Sequence, residues 1–227
     1  MEREHRLKYQ AGFTLLELLI VVTIIGLLAA LLLPSLRVAR DRARVASCGA
    51  NLRQIYQGLQ MYLQDDDEVV FWTSPDVSLY GMEWYSYGGR ETGNADLGQG
   101  GLFNNVVPRP INRYVNNKFA LFHCPADNSP WTWCSNHTHF DWVGNSYNYN
   151  AEGSPHPPNM SVGGFNATKF SSTRAPSQTV LFLDASLVKA PWAWHLANQG
   201  NVGLADGHVA FLPWPDSSDG AEYTWIP

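Results

Sequence analysis

Gly12-Phe13-Thr14-Leu15-Leu16-Glu17-Leu18-Leu19-Ile20 opens a run of 21 residues, Phe13 to Leu33, whose one charged side chain is Glu17. As a helix rising about 1.5 Å per residue the run extends about 32 Å, which matches a hydrocarbon core about 30 Å thick. A carboxylate inside such a span is costly unless paired, so Glu17 reads as functional. Residues 1–12 form a short polar leader ending in Ala11-Gly12. The apolar run is longer than the h-region of an ordinary secretory peptide, and no small-x-small cleavage site follows it.

Beyond the span lie roughly 190 residues, enough for one domain with its own core. A net charge of −5 and a pI near 5.7 argue against a nucleic-acid binder. Charged residues make up only 15 % of the chain, whereas aromatic residues make up 13 %. With 19 glycines and 14 prolines, mostly beyond residue 73, this suggests a loop-rich, aromatic-rich head.

The helix is expected to continue past Pro34, which removes a backbone hydrogen bond and clashes with the preceding turn. Leu52, Ile55, Tyr56, Leu59, Tyr62 and Leu63 then follow i, i+3, i+4, i+7 spacing, an amphipathic face expected to pack on a sheet. The cluster Arg37, Arg40, Arg42 and Arg44 reads either as a solvated face near lipid headgroups or as contacts to acidic neighbours. Asp65-Asp66-Asp67-Glu68 opposes the helix dipole at its C-terminus and ends the helix.

In the head, Val69–Trp72, Ser146–Asn150 and Thr179–Asp184 read as strands. Asn201 to Leu212 reads as a hairpin around Asp206-Gly207, because a two-residue type I′ turn favours Asp-Gly. That turn pairs Leu204 with Val209 and Val202 with Phe211, putting all four side chains on one face over the helix. Of the three cysteines, Cys124 and Cys134 sit in a turn-rich stretch, and a disulfide between them is expected outside the cytoplasm. The alternative is a pair of reduced, buried thiols; Cys48, on the helix, is expected to be free.

His195 with Asp184, Asp206 and His208 offers a possible transition-metal set. A motif built around a hairpin turn is more often structural, with Asp206 making the turn and His195 bonding across a loop. No metal, cofactor or catalytic residue is therefore expected. Nine tryptophans, among them Trp131, Trp133, Trp192 and Trp194, allow a second class of function, a binding module whose rings stack on sugars. They serve equally as core or as contacts between subunits.

At Gly12-Phe13-Thr14-Leu15-Leu16-Glu17 and the apolar run after it, the chain resembles the prepilin signal of type IV pilins and type II secretion pseudopilins. The resemblance implies cleavage between Gly12 and Phe13 by a prepilin peptidase, with methylation of the new amine. It implies pairing of Glu17 with the Phe13 ammonium, its own or a neighbour's, during assembly. The expected fold is α+β: a long N-terminal helix packed on an antiparallel sheet head. The expected domains are a leader at 1–12, a membrane or filament-core helix at 13–33, its amphipathic continuation at 34–64, and a globular head at 65–227. Expected partners are identical or related pilin subunits, the peptidase and the inner membrane, with no nucleic acid. The head is expected in the periplasm and later in a periplasmic or cell-surface filament. The arginines at 37–44 outnumber the cations of the leader and alone would put the head in the cytoplasm; the prepilin motif specifies orientation more directly. Cys124-Pro125-Ala126-Asp127, Ser146 to Asn150, His195 and Asp206-Gly207 further resemble a prepilin subfamily with a C-terminal His-x9-Asp-Gly signature, offset here by one residue.

Overall fold

The computed structural model describes residues 13–70, 85, 87–91, 108–128, 138–150, 165, 169–185, 194–195 and 199–213. One helix, α1, covers Leu15–Asp65 and runs through Pro34. It contributes to two units, Met1–Asp41 and Arg42–Pro227. In the first unit Thr14 caps α1: its hydroxyl accepts the Glu17 N–H (3.2 Å), and the Glu17 carboxylate accepts the Thr14 N–H (2.8 Å). This reciprocal capping box satisfies two N-terminal donors that have no partner within the helix.

In the second unit the expected apolar face of α1 is buried. Leu52, Ile55 and Leu59 are fully enclosed and Leu63 nearly so, with Tyr56 and Tyr62 packed beside them. Burying side chains of this size contributes about 1.5–3 kcal/mol each, as an upper bound. The face begins one turn earlier than its sequence pattern suggests, at buried Cys48. Asp67 and Glu68 both take left-handed φ (50° and 63°), and Glu68 N–H bonds back to Leu63 O at 2.9 Å, which ends the helix.

The sheet is antiparallel with strand order β1-β2-β3-β4: Tyr147–Tyr149, Val180–Asp184, Gln199–Leu204 and Val209–Pro213. With α1 it makes the α+β arrangement expected. β1 and β2 fall where the sequence put strands. Val69 forms only an isolated bridge to Lys169, and Phe71 and Trp72 lie outside the described residues.

The β3–β4 hairpin differs from expectation by one residue. Gly203 pairs with Val209, Val202 with Ala210 and Asn201 with Phe211. The loop is Ala205-Asp206-Gly207, with Gly207 N–H bonded to Leu204 O (2.9 Å) and Leu204 N–H to His208 O (2.8 Å). Asp206 does not adopt the positive φ that a type I′ turn requires; Gly207 alone does, at +88°. The Asp206 carboxylate instead accepts the His208 N–H at 2.9 Å. The result is a β-turn followed by a left-handed glycine, which adds one residue to the loop. A one-residue slip moves side chains to the opposite face. Val202 and Leu204 therefore pack with Val180 and Leu183 in a small second cluster, while Val209 joins the core that holds the helix. The expected common face of Val202, Leu204, Val209 and Phe211 does not exist.

A second short helix, α2 (His139–Val143), is held by Asp127. The buried Asp127 carboxylate accepts His139 N–H (3.0 Å), Phe140 N–H (2.7 Å) and the Ser146 hydroxyl (2.8 Å). The Cys124–Asp127 and Ser146–Asn150 segments are thus one lock that fastens α2 to the start of β1.

Candidate functional site

The N-terminal segment carries the first candidate site. From Leu15 to Val38 every large apolar side chain of α1 is exposed; Leu31, for instance, is 72 % exposed. Such a surface is far larger than the apolar patch a water-soluble monomer tolerates, so it calls for lipid or for equally apolar helices. Phe13 is 84 % exposed at its start. Gly12 lies outside the described residues. Glu17, as the chain stands before any processing, is the capping partner of Thr14. That role is legible in Thr14-x-x-Glu17, although the sequence reading passed over it.

The head holds a second, buried constellation. Cys124, after the 3-10 helix Phe119–Phe122, is bridged to Cys48 on α1, with Cα atoms 5.3 Å apart. The expected Cys124–Cys134 bridge is therefore wrong, and Cys48 is not free; Cys134 itself lies outside the described residues. The missed signal is helical: Cys48 precedes Leu52, Ile55 and Leu59 by four, seven and eleven residues, in register with the buried face. The neighbouring Gly49 lets the helix approach β3, since a Cβ there would sit 3.2 Å from Asn201 Oδ1.

Asp184, at the end of β2, and His195 lie against this bridge. His195 Nε2 is 3.3 Å from Asp184 Oδ2 and 3.5 Å from Cys124 Sγ. Their side chains are 1 % and 0 % exposed. Asp184 Oδ2 also accepts Asn201 N–H (2.7 Å) and Asn201 Nδ2–H (3.1 Å), which fix the carboxylate. Asp184 Oδ1 and His195 Nδ1 are buried with no hydrogen-bond partner. Of the expected His195, Asp184, Asp206 and His208 group, the fold unites only the first two. Asp206 and His208 stay at the exposed hairpin turn.

Arg109 gave no signal in sequence. Its guanidinium, 1 % exposed, donates to Gly88 O (2.8 Å) and Val143 O (2.8 Å) and so joins the segment before it to α2. Desolvation lowers its pKa to about 10, which leaves it charged at neutral pH. Trp194 is half-buried and packs on the core; Trp131, Trp133 and Trp192 lie outside the described residues. An exposed stacking platform thus has no support among the described residues.

Comparison with known proteins adds to this geometry. The family described as the prokaryotic N-terminal methylation motif matches residues 7–33. The chain is 39 % identical to the type II secretion system core protein G of Pseudomonas aeruginosa over 59 residues, 26 % of this chain and 42 % of that protein. It is 41 % identical to the type IV wide pilus major component PilA4 of Thermus thermophilus over 71 residues, 31 % of this chain and 52 % of that one. It is 36 % identical to the type IV major fimbrial protein FimA of Dichelobacter nodosus over 100 residues, 41 % of this chain and 60 % of that one. The chain thus spans about half the length of these curated relatives. No solved structure matches it. The motif and the relatives support a pilin or pseudopilin family. They do not confirm the C-terminal His195–Asp206-Gly207 signature, since the motif match ends at residue 33.

Proposed function

We propose that this chain is a structural subunit of a type IV pilus-like or type II secretion filament. It is not an enzyme. It enters the inner membrane by residues 13–33 with its head in the periplasm, is cut between Gly12 and Phe13 by a prepilin peptidase, and assembles through α1 with identical or related subunits. The observation that carries this reading is the exposed apolar stretch of α1, most of which lies within the matched motif. Lipid covers that surface before assembly, and like helices cover it afterwards.

Cleavage converts the Phe13 peptide nitrogen into an ammonium next to the Thr14–Glu17 cap. Glu17 then has a cation to meet, on its own chain or on a neighbour. Removing one member of a buried pair costs about 3–5 kcal/mol, because the other charge is stranded. Glu17→Ala subunits should reach normal membrane levels, be processed and fold their heads, yet give few or no filaments by electron microscopy. Filaments at wild-type abundance would end the pairing argument. N-terminal sequencing of the mature protein should begin at Phe13, and Gly12→Val should remain uncut; any other start would remove the processing step and the assembly route with it.

A further inference from the structure

We propose that, when the Cys48–Cys124 bridge is open, the two thiolates join Asp184 and His195 as a tetrahedral site for one zinc-class divalent cation. The four residues each offer a ligand atom, and these atoms all lie within 4.8 Å of one another. The donor set, two thiolates, an imidazole and a carboxylate, is one that zinc favours.

The distances fit the ion. With metal–nitrogen and metal–oxygen bonds of about 2.0–2.1 Å, a tetrahedron puts an imidazole nitrogen and a carboxylate oxygen about 3.4 Å apart. With a metal–sulfur bond of about 2.3 Å, sulfur and nitrogen lie about 3.5 Å apart. His195 Nε2 stands 3.3 Å from Asp184 Oδ2 and 3.5 Å from Cys124 Sγ. Two edges of the polyhedron are already in place; completing it takes parting of the sulfurs to about 3.8 Å and adjustment of the other edges, none now longer than 4.8 Å. A second observation points to the same ligand. The fully buried Asp184 carboxylate has Oδ1 without a partner, and His195 is the one ionisable cation-forming side chain within 4 Å of it among the described residues. A buried carboxylate with so little compensation is costly, and a dication removes that cost. The two Asn201 donors bond Oδ2 and fix the carboxylate's orientation, which leaves Oδ1 as its open lone-pair site.

The exchange balances. A dithiol or phosphine reductant supplies two electrons and is itself oxidised, and the bridge becomes two thiols. As Zn2+ is taken up each thiol releases a proton to solvent, leaving two thiolates, neutral His195 and the Asp184 carboxylate around the ion. Helix α1 is then tied to the sheet by metal under reducing conditions and by the disulfide under oxidising ones.

The test uses the full-length chain in detergent, in a Cys134→Ser background so that only Cys48 and Cys124 supply thiols. Reduced with a phosphine, freed of reductant without air and titrated with Co2+, it should take one ion per chain. It should show thiolate-to-cobalt charge transfer and the strong visible bands of a tetrahedral ion, both bleached by one equivalent of Zn2+. The oxidised chain should bind none. His195→Ala should weaken binding by about a hundredfold or more, and Cys48→Ser should weaken binding and cut the charge-transfer intensity per bound ion by about half. Zn2+ should also raise the melting temperature of the reduced parent chain by several degrees, a readout independent of any variant's folding. No stoichiometric uptake, an octahedral cobalt spectrum, no zinc-dependent rise in melting temperature, or unchanged affinity in a folded His195→Ala chain would each overturn the proposal.

Discussion

Replacing Cys48 and Cys124 together by alanine removes the one covalent tie between α1 and the rest of the head that the described residues contain. The bridge closes a loop with a sequence separation of 76 residues. On the chain-entropy account, closing a loop of this length removes about 15 cal/mol/K from the denatured ensemble, or about 4.5 kcal/mol at 25 °C. Measured losses for native bridges run at about 2–5 kcal/mol, so a loss near the upper end is expected. For a head of this size about 1 kcal/mol corresponds to about 2–4 °C, which puts the fall in melting temperature at about 9–18 °C. All nine tryptophans lie beyond residue 71, so tryptophan fluorescence follows the head without a signal from the apolar half of α1. Thermal scans of the full chain in mild detergent, under oxidising conditions and without metal, give the comparison. Mapping of unreduced peptides supplies the second arm: a Cys48–Cys124 linked pair should be found, and it should persist in Cys134→Ala. A peptide linking Cys124 to Cys134, or a loss below about 1 kcal/mol in the double variant, would refute the reasoning.

Other consequences follow from the packing of the head. Burial lowers the pKa of His139, against the opposing effects of Asp127 and the Asn145 carbonyl, so the native imidazole resists protonation that the unfolded chain accepts. Stability should therefore be full above pH of about 6.5 and fall as pH drops from there toward the native-state value; His139→Gln should flatten that limb in urea titrations at stepped pH. Asp127→Ala leaves two backbone N–H groups and the Ser146 hydroxyl without their acceptor, and should cost about 3 kcal/mol or more by denaturant unfolding, with Asp127→Asn costing clearly less. Gly207→Ala should cost about 2–4 kcal/mol, because the site has φ +88° and a Cβ would come within 2.5 Å of Tyr56 Cε1. Equal melting temperatures for Gly207→Ala and wild type would mean that the hairpin is not held as described.

Local and periodic features were legible in the chain. The apolar run from Phe13 to Leu33 stands out because a membrane's thickness would set just such a length and composition, which few other constraints impose. The face of Leu52, Ile55, Leu59 and Leu63 follows from helical spacing, and the strands at Tyr147–Tyr149 and Val180–Asp184 from short β-branched or aromatic runs between turn residues. These signals lie within one element, so neighbouring residues carry them. Pairing between distant elements is not encoded in that way. Cys124 could have met Cys134 by sequence distance, but α1 presents Cys48 on the face it buries, and that brings its sulfur to Cys124 from 76 residues away. The hairpin register turned on a single φ: Asp206-Gly207 marks the turn, but whether Asp206 adopts positive φ or instead bonds His208 N–H depends on neighbours such as Pro176 O, which accepts Asp206 N–H at 3.1 Å. His195 joins Asp184 and leaves Asp206, which is equally distant from it in sequence, because β2 and α1 converge on its imidazole while the hairpin carries Asp206 to the surface. The apolar N-terminal run, the helix face and the strands at Tyr147–Tyr149 and Val180–Asp184 were thus legible in sequence alone; which sulfur, carboxylate and imidazole share the core was decided by tertiary packing, where burial selects partners without regard to their order in the chain.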